Sequence, residues 1–199
     1  GLLIKLLSNG EPAHGSKPWL GVDANENIIR TVTNLRKIFT YYSKDEIPED
    51  EWVTTMHVAT IHGGKAYNVV ADYAEAVLDI RFTEDYTFNS LVDIIKNNAI
   101  GVKVVKLMEA NLIFNEPTNK YLQLYKSILE KNIEEKVTFN YATSSSDARY
   151  FVRSDTTVLS AKCDSGDIHG DGEWLNIEKI KTFARLRCEF LDALASGGI

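Results

Sequence analysis

The sequence predicts a mixed α/β (α+β) chain in two parts: a split βαβ unit over residues 1–110 and an alternating helix–strand segment over 111–199. Two observations carry this. The first part switches between apolar periods of two and of three to four in the order β-α-β-β-α-β. In addition, 199 residues with 44% hydrophobic and 25% charged content have room for one large core or two small ones.

Residues 1–13 begin apolar and end at the break Gly10-Glu11-Pro12, which predicts a strand. Residues 14–21, HGSKPWLG, form a loop. From Asp23 onward Ile28, Val32, Leu35, Phe39 and Tyr42 step by three or four and share one helix face. Lys44–Asp50, acidic and holding Pro48, reads as a linker. Val53–Ile61 is a β-branched strand, broken by His62-Gly63-Gly64-Lys65. Ala74–Phe82 alternates strictly and predicts a half-buried strand. Leu91, Val92, Ile94 and Ile95 mark a short helix closing near Gly101, and Val102–Met108 is the fourth strand.

Beyond residue 112, Asn115-Glu116-Pro117-Thr118 starts a helix with the stripe Tyr121, Leu124, Ile128 and Leu129. Val137–Tyr141 and Thr156–Ala161 are expected strands, separated by a short helix that Ser144–Asp147 caps. Asn176 to about Ala195 is the last helix, with Ile177, Ile180, Ala184, Cys188, Leu191 and Leu194 on one side.

A net charge of −6 without a basic stripe argues against a nucleic-acid partner, including the RNA-binding variety of split βαβ domain. No apolar run reaches membrane-spanning length. Two cysteines, Cys163 and Cys188, suggest a reducing compartment, and the expected localisation is cytoplasmic. Gly1 opens directly into LLIKLL, a strand already under way, so the chain is expected to begin inside a longer protein that could carry a signal peptide.

His169 lies among Gly166, Asp167, Gly170, Asp171, Gly172 and Glu173. A histidine in such a loop is a candidate metal ligand, though a loop histidine bonding locally fits as well. Thr143–Asp147 presents hydroxyls and backbone N–H groups at a helix start, which favours an anion, and Arg149 adds a bidentate donor. A plain cap with a surface arginine is the simpler account. His14, after the first strand, could polarise a carbonyl or be a solvated turn residue. Asn68 and Arg81 are polar groups on or beside the alternating strand, where a cross-strand partner would equally explain Arg81. His57 and His62 receive no role.

Four segments recur together in one order: GEPAHGSKPWLG at 10–21, GGKAYNVVADYAEAVLDIRF at 63–82, SSDARYF at 145–151 and IHGDGEWLNIEKI at 168–180. This order resembles the M20 family of zinc-dependent amidohydrolases and peptidases, which includes succinyl-diaminopimelate desuccinylase, acetylornithine deacetylase, aminoacylase and carboxypeptidase G2. The resemblance implies a split βαβ, ferredoxin-like lid (dimerisation) domain at 1–110. It implies the C-terminal part of an α/β zinc-peptidase catalytic domain at 111–199. It further implies that His14 is the lid histidine reaching across a homodimer to an oxyanion. Asn68, Arg81, Ser145 and Arg149 become substrate-binding groups, and His169 the C-terminal ligand of a two-zinc site.

Two departures from the family pattern stand out. Ala71 replaces the proline of N-V-V-P-D. The family's N-terminal half, with its His-x-Asp, bridging Asp, Glu general base and remaining carboxylate ligand, is not in these residues. The parent protein is therefore expected to hydrolyse amide or peptide bonds in N-acyl-amino acids or small peptides. The 199-residue chain is expected to be inactive alone. The alternative is a non-catalytic dimerisation module that retains the fold.

Overall fold

A computed structural model of the chain describes residues 1–40, 45–46, 52–133, 136–142, 146–151, 156–159 and 163–197. They form two compact units, one of residues 1–112 with 142–149, the other of 113–141 with 150–199.

The first unit is built on four strands: β1 (Leu2–Asn9), β2 (Thr55–Gly63), β3 (Tyr73–Arg81) and β4 (Lys103–Glu109). They lie side by side in the order β2-β3-β1-β4, every neighbouring pair antiparallel. Two helices, α1 (Ala24–Leu35) and α2 (Phe88–Asn97), complete the β-α-β-β-α-β order predicted from periodicity.

The two central strands alternate cleanly. Leu2, Ile4 and Leu6 of β1 and Ala74, Ala76, Leu78 and Ile80 of β3 are buried, and they meet Ile28, Val32 and Leu35 of α1 and Leu91 and Ile95 of α2 in one core. Burying each of the larger aliphatic side chains stabilises the unit by roughly 1.5–3 kcal/mol. Asp23 caps α1 by accepting from the Asn25 amide at 2.9 Å. Thr87 and Ser90 cap α2 reciprocally. Buried Ser8 donates to the Gly101 carbonyl and accepts from Asn27, and the Ile100 amide donates to Thr31, so the turn before β4 is pinned across α1.

Some boundaries differ from expectation. α1 ends at Leu35 and continues as turns to Phe39, whose ring is held edge-on to Tyr86 at 6.0 Å. Tyr42 lies outside the described residues. β2 runs through His62 and Gly63 because both still pair with β3. At Gly63 a Cβ would fall 2.0 Å from the Asn25 amide oxygen, and the strand stops only at Gly64, whose φ of +74° excludes most side chains.

In the second unit, α3 (Lys120–Ile133) packs on α4 (Ile177–Ala195). The buried stripe of α3 is Leu122, Tyr125 and Ile128, and the predicted Tyr121 is exposed. Leu186 is the buried residue of α4, with Phe190 edge-on to Tyr125 at 5.3 Å. Ile177 and Leu191, expected on the packed side of α4, are instead 67% and 61% exposed, because α3 takes the neighbouring face. Val137–Tyr141 is irregular rather than a strand, as are the described residues 156–159. Those β-branched runs find no neighbouring strand among the described residues, and β propensity without a partner does not make a strand. A short hairpin that the sequence did not announce, β5 (Ser165–Gly166) with β6 (Trp174–Leu175), precedes α4.

Candidate functional site

The chemistry-bearing residues fall into three groups. The first surrounds His14. After β1 the chain makes a closed loop, sealed where Glu11 and Val22 exchange backbone hydrogen bonds of 2.8 and 2.9 Å. Its tip is pinned to residues 68–70: the Gly15 amide donates to the Asn68 carbonyl at 2.7 Å, and the Val70 amide to the Ala13 carbonyl at 2.9 Å. His14 thus sits opposite Val69 with Asn68 beside it. His14 and Asn68, 54 positions apart in sequence, are brought together by this one ladder. The ring Nδ1 of His14 lies 2.8 Å from the Ser16 hydroxyl and accepts from the Ser16 amide at 3.1 Å. The His14 and Asn68 side chains are exposed, and Ala71, at the departure from the family's proline, is buried with its carbonyl accepting from the Ala24 amide.

The second group lies at the other end of the sheet. Arg81 closes β3, next to Ile80, which pairs with Leu2 at the start of β1. Its guanidinium donates to Asp79 at 2.8 Å, so the partner of Arg81 comes from its own strand face two residues back. Arg149 belongs to the same unit. The amine of Gly1 registers both arginines: burial first, then the Arg81 charge, push its pKa down from 8.0 to about 6, with Asp79 opposing and Arg149 adding to the fall. Each guanidinium offers a fork of N–H donors suited to a carboxylate. Ser145 lies outside the described residues.

His14 and Arg81 are not brought together. β3 separates the Asn68 end from Arg81 by its full Tyr73–Arg81 length, roughly 26 Å at about 3.3 Å per residue.

The third group is the tip of the β5–β6 hairpin. Trp174 lies over Gly166 so closely that a Cβ there would come within 2.5 Å of the indole nitrogen. The Asp167 carboxylate folds inward and accepts from the Gly172 amide at 3.0 Å. Asp167 and His169 both have positive φ, 51° and 66°, a conformation these residue types tolerate better than most. The hairpin is tied to α4 by the Asn176 amide donating to the Asp164 carbonyl at 3.0 Å. His169 is therefore presented outward on a well-braced turn. Among the described residues no three His, Cys, Asp or Glu side chains converge to hold a metal ion. A catalytic zinc needs about three protein ligands, so the described residues by themselves do not make a metal site.

Residues 3–101 match the M20 family's peptidase dimerisation domain. The chain is 22% identical over 192 residues to a succinyl-diaminopimelate desuccinylase of Ehrlichia ruminantium, covering 94% of this chain and 49% of that protein. It is 32% identical over 86 residues to a probable carboxypeptidase of Aspergillus flavus, covering 39% of this chain and 19% of that one. The chain thus spans at most about half the length of these relatives. An aminopeptidase structure from Bacillus cereus superimposes with a TM-score of 0.73 at 16% identity, over 98% of this chain and 52% of that one. A tripeptidase structure from Staphylococcus aureus gives 0.66 at 18% identity, over 98% and 52%. At these identities the two structures speak to the fold.

Proposed function

Because the chain belongs to the M20 peptidase family, we propose that the whole protein is a metal-dependent hydrolase, cleaving amide or peptide bonds in N-acyl-amino acids or small peptides. The match of residues 3–101 to the dimerisation domain carries this reading. Zinc is the proposed metal, with His169 as one ligand. The described residues do not complete the site.

His14 is assigned to the oxyanion that forms as the scissile carbonyl is attacked. A preorganised N–H donor there is worth roughly a hundredfold to a thousandfold in rate. Asn68 shares its end of the lid. Arg81, Arg149 and Ser145 are assigned to the substrate carboxylate. The roughly 26 Å between the two ends of β3 supports a homodimer in which His14 and Asn68 of one chain serve the site that uses Arg81 of the other. A cytoplasmic location fits the cysteine content. Among the described residues no helix is long and apolar enough to cross a membrane.

The decisive experiment mixes two inactive variants of the whole protein, His14→Ala and Arg81→Ala. If the two residues act from different chains, about half of the dimers in an equal mixture are mixed, and each mixed dimer has one intact site. About a quarter of wild-type activity should return. No recovery, with mixed dimers shown to form, would place both residues in one chain's site and remove the trans assignment. A second reading, a non-catalytic dimerisation module, is supported for the 199-residue chain by itself by the match of residues 3–101 to the dimerisation domain. Measurable metal-dependent hydrolysis by the 199-residue chain would defeat that reading.

A further inference from the structure

The two nitrogens of the His14 ring are not equivalent. The Ser16 amide donates to Nδ1 at 3.1 Å, and the Ser16 hydroxyl lies 2.8 Å from the same atom. The hydroxyl can act either way, but a backbone amide only donates. In the neutral imidazole the nitrogen that accepts an N–H cannot carry the ring proton, so the proton sits on Nε2. The Lys17 amide closes the turn onto the His14 carbonyl at 2.8 Å, and the pairing with residues 68–70 on either side holds the backbone of His14 in place. The ring is exposed, and no described residue occupies Nε2.

We propose that Ser16 is a positioning residue: through its amide, supported by its hydroxyl, it selects the Nε2–H tautomer of His14 and turns the outward edge of the ring into a fixed hydrogen-bond donor. The functional meaning rests on the assignment of His14 to the oxyanion, because a bare Nε2 lone pair facing a developing negative charge would repel it. The tautomer itself rests only on the geometry of the turn.

The test is the ring ¹⁵N signature of His14 in the labelled 199-residue chain, by long-range ¹H–¹⁵N correlation at about pH 8.5, well above the ordinary imidazole value of about 6.5. Loss of the signal in His14→Gln assigns it. The expected result is an unprotonated Nδ1 and a protonated Nε2. Ser16→Ala, which keeps the amide, should retain that pattern. Ser16→Pro, which deletes the amide, should lower the ratio of Nε2–H to Nδ1–H about fivefold, the worth of one net hydrogen bond. A protonated Nδ1 in the unmutated chain overturns the proposal, whatever the variants do. So does an unchanged ratio in Ser16→Pro while the Gly15 and Val70 amides keep their native shifts. If those amides move, the unmutated chain and Ser16→Ala decide the matter, loss of the pattern in Ser16→Ala overturning the role given to the amide. Failure of the oxyanion assignment looks different: the tautomer is as expected, yet His14→Ala of the metal-loaded whole protein hydrolyses at the wild-type rate.

Discussion

The two units solve the problem of burial to different degrees. In the first, four strands and two helices enclose one continuous core, from Leu2 and Ile4 through Leu78 and Ile80 to Leu91 and Ile95. In the second, the buried apolar residues are Leu122, Tyr125, Ile128 and Leu186 among those described, while Trp174, Leu175, Ile177 and Leu191 face solvent. A sheet whose central strands are covered on one face can stand on its own core. A pair of helices with a second apolar face open has surface that favours burial elsewhere. The positions of the candidate residues follow this contrast: His14 and Asn68 are held by a ladder anchored in the dense unit, whereas His169 depends on a local hairpin.

The largest effect should come from the dense core. Leu78→Ala or Ile4→Ala should destabilise the first unit by about 2–5 kcal/mol. Leu186→Ala should lie at or below the low end of that range because its surroundings can collapse. Urea denaturation of each variant checks this, and equal losses would erase the distinction between the units.

Hydrogen exchange offers a second way to sharpen it. Amides of β1 and β3 should exchange only on global opening, and those of α4 markedly sooner, since local stability follows buried contacts. If α4 proves as protected as β1, the two units unfold as one.

Cap removal should give smaller losses. Asp23→Ala and Asn176→Ala each delete an acceptor for an N-terminal amide of a helix, and each should cost about 1 kcal/mol. The loss at Asp23 should appear as global destabilisation, that at Asn176 as fraying of α4 and of the hairpin bearing His169, read by helix and Trp174 signals.

The smallest expected effect is on pH dependence. The Gly1 amine has a folded pKa near 6 against 8.0 when unfolded, so between those values the unfolded state binds more protons. Stability of the 199-residue chain should rise with pH from about 6 to 8 and level off above. The rise is damped by solvent screening at this half-exposed group. Acetylating the amine should flatten the curve, and an unchanged slope would show that another group titrates there.

Much of this was written in the chain. Period-two alternation at Ala74–Phe82 and the stepping of Ile28, Val32 and Leu35 determine the βαββαβ order, because one face of each element must be apolar to be buried. The order of the four motif segments resembles the M20 family's on sequence alone. Spacing could not reveal that His14 and Asn68 are neighbours through backbone pairing, or that Arg81 lies a strand's length away on Asp79. Nor could it foresee that α3 would take the Leu186 face of α4 and leave Ile177 exposed, or that Val137–Tyr141 would find no strand to join. Local periodicity is a property of a segment and is legible in it. Which segments meet, and which of two possible faces is covered, depends on contacts between residues far apart in sequence, and only the folded chain decides those.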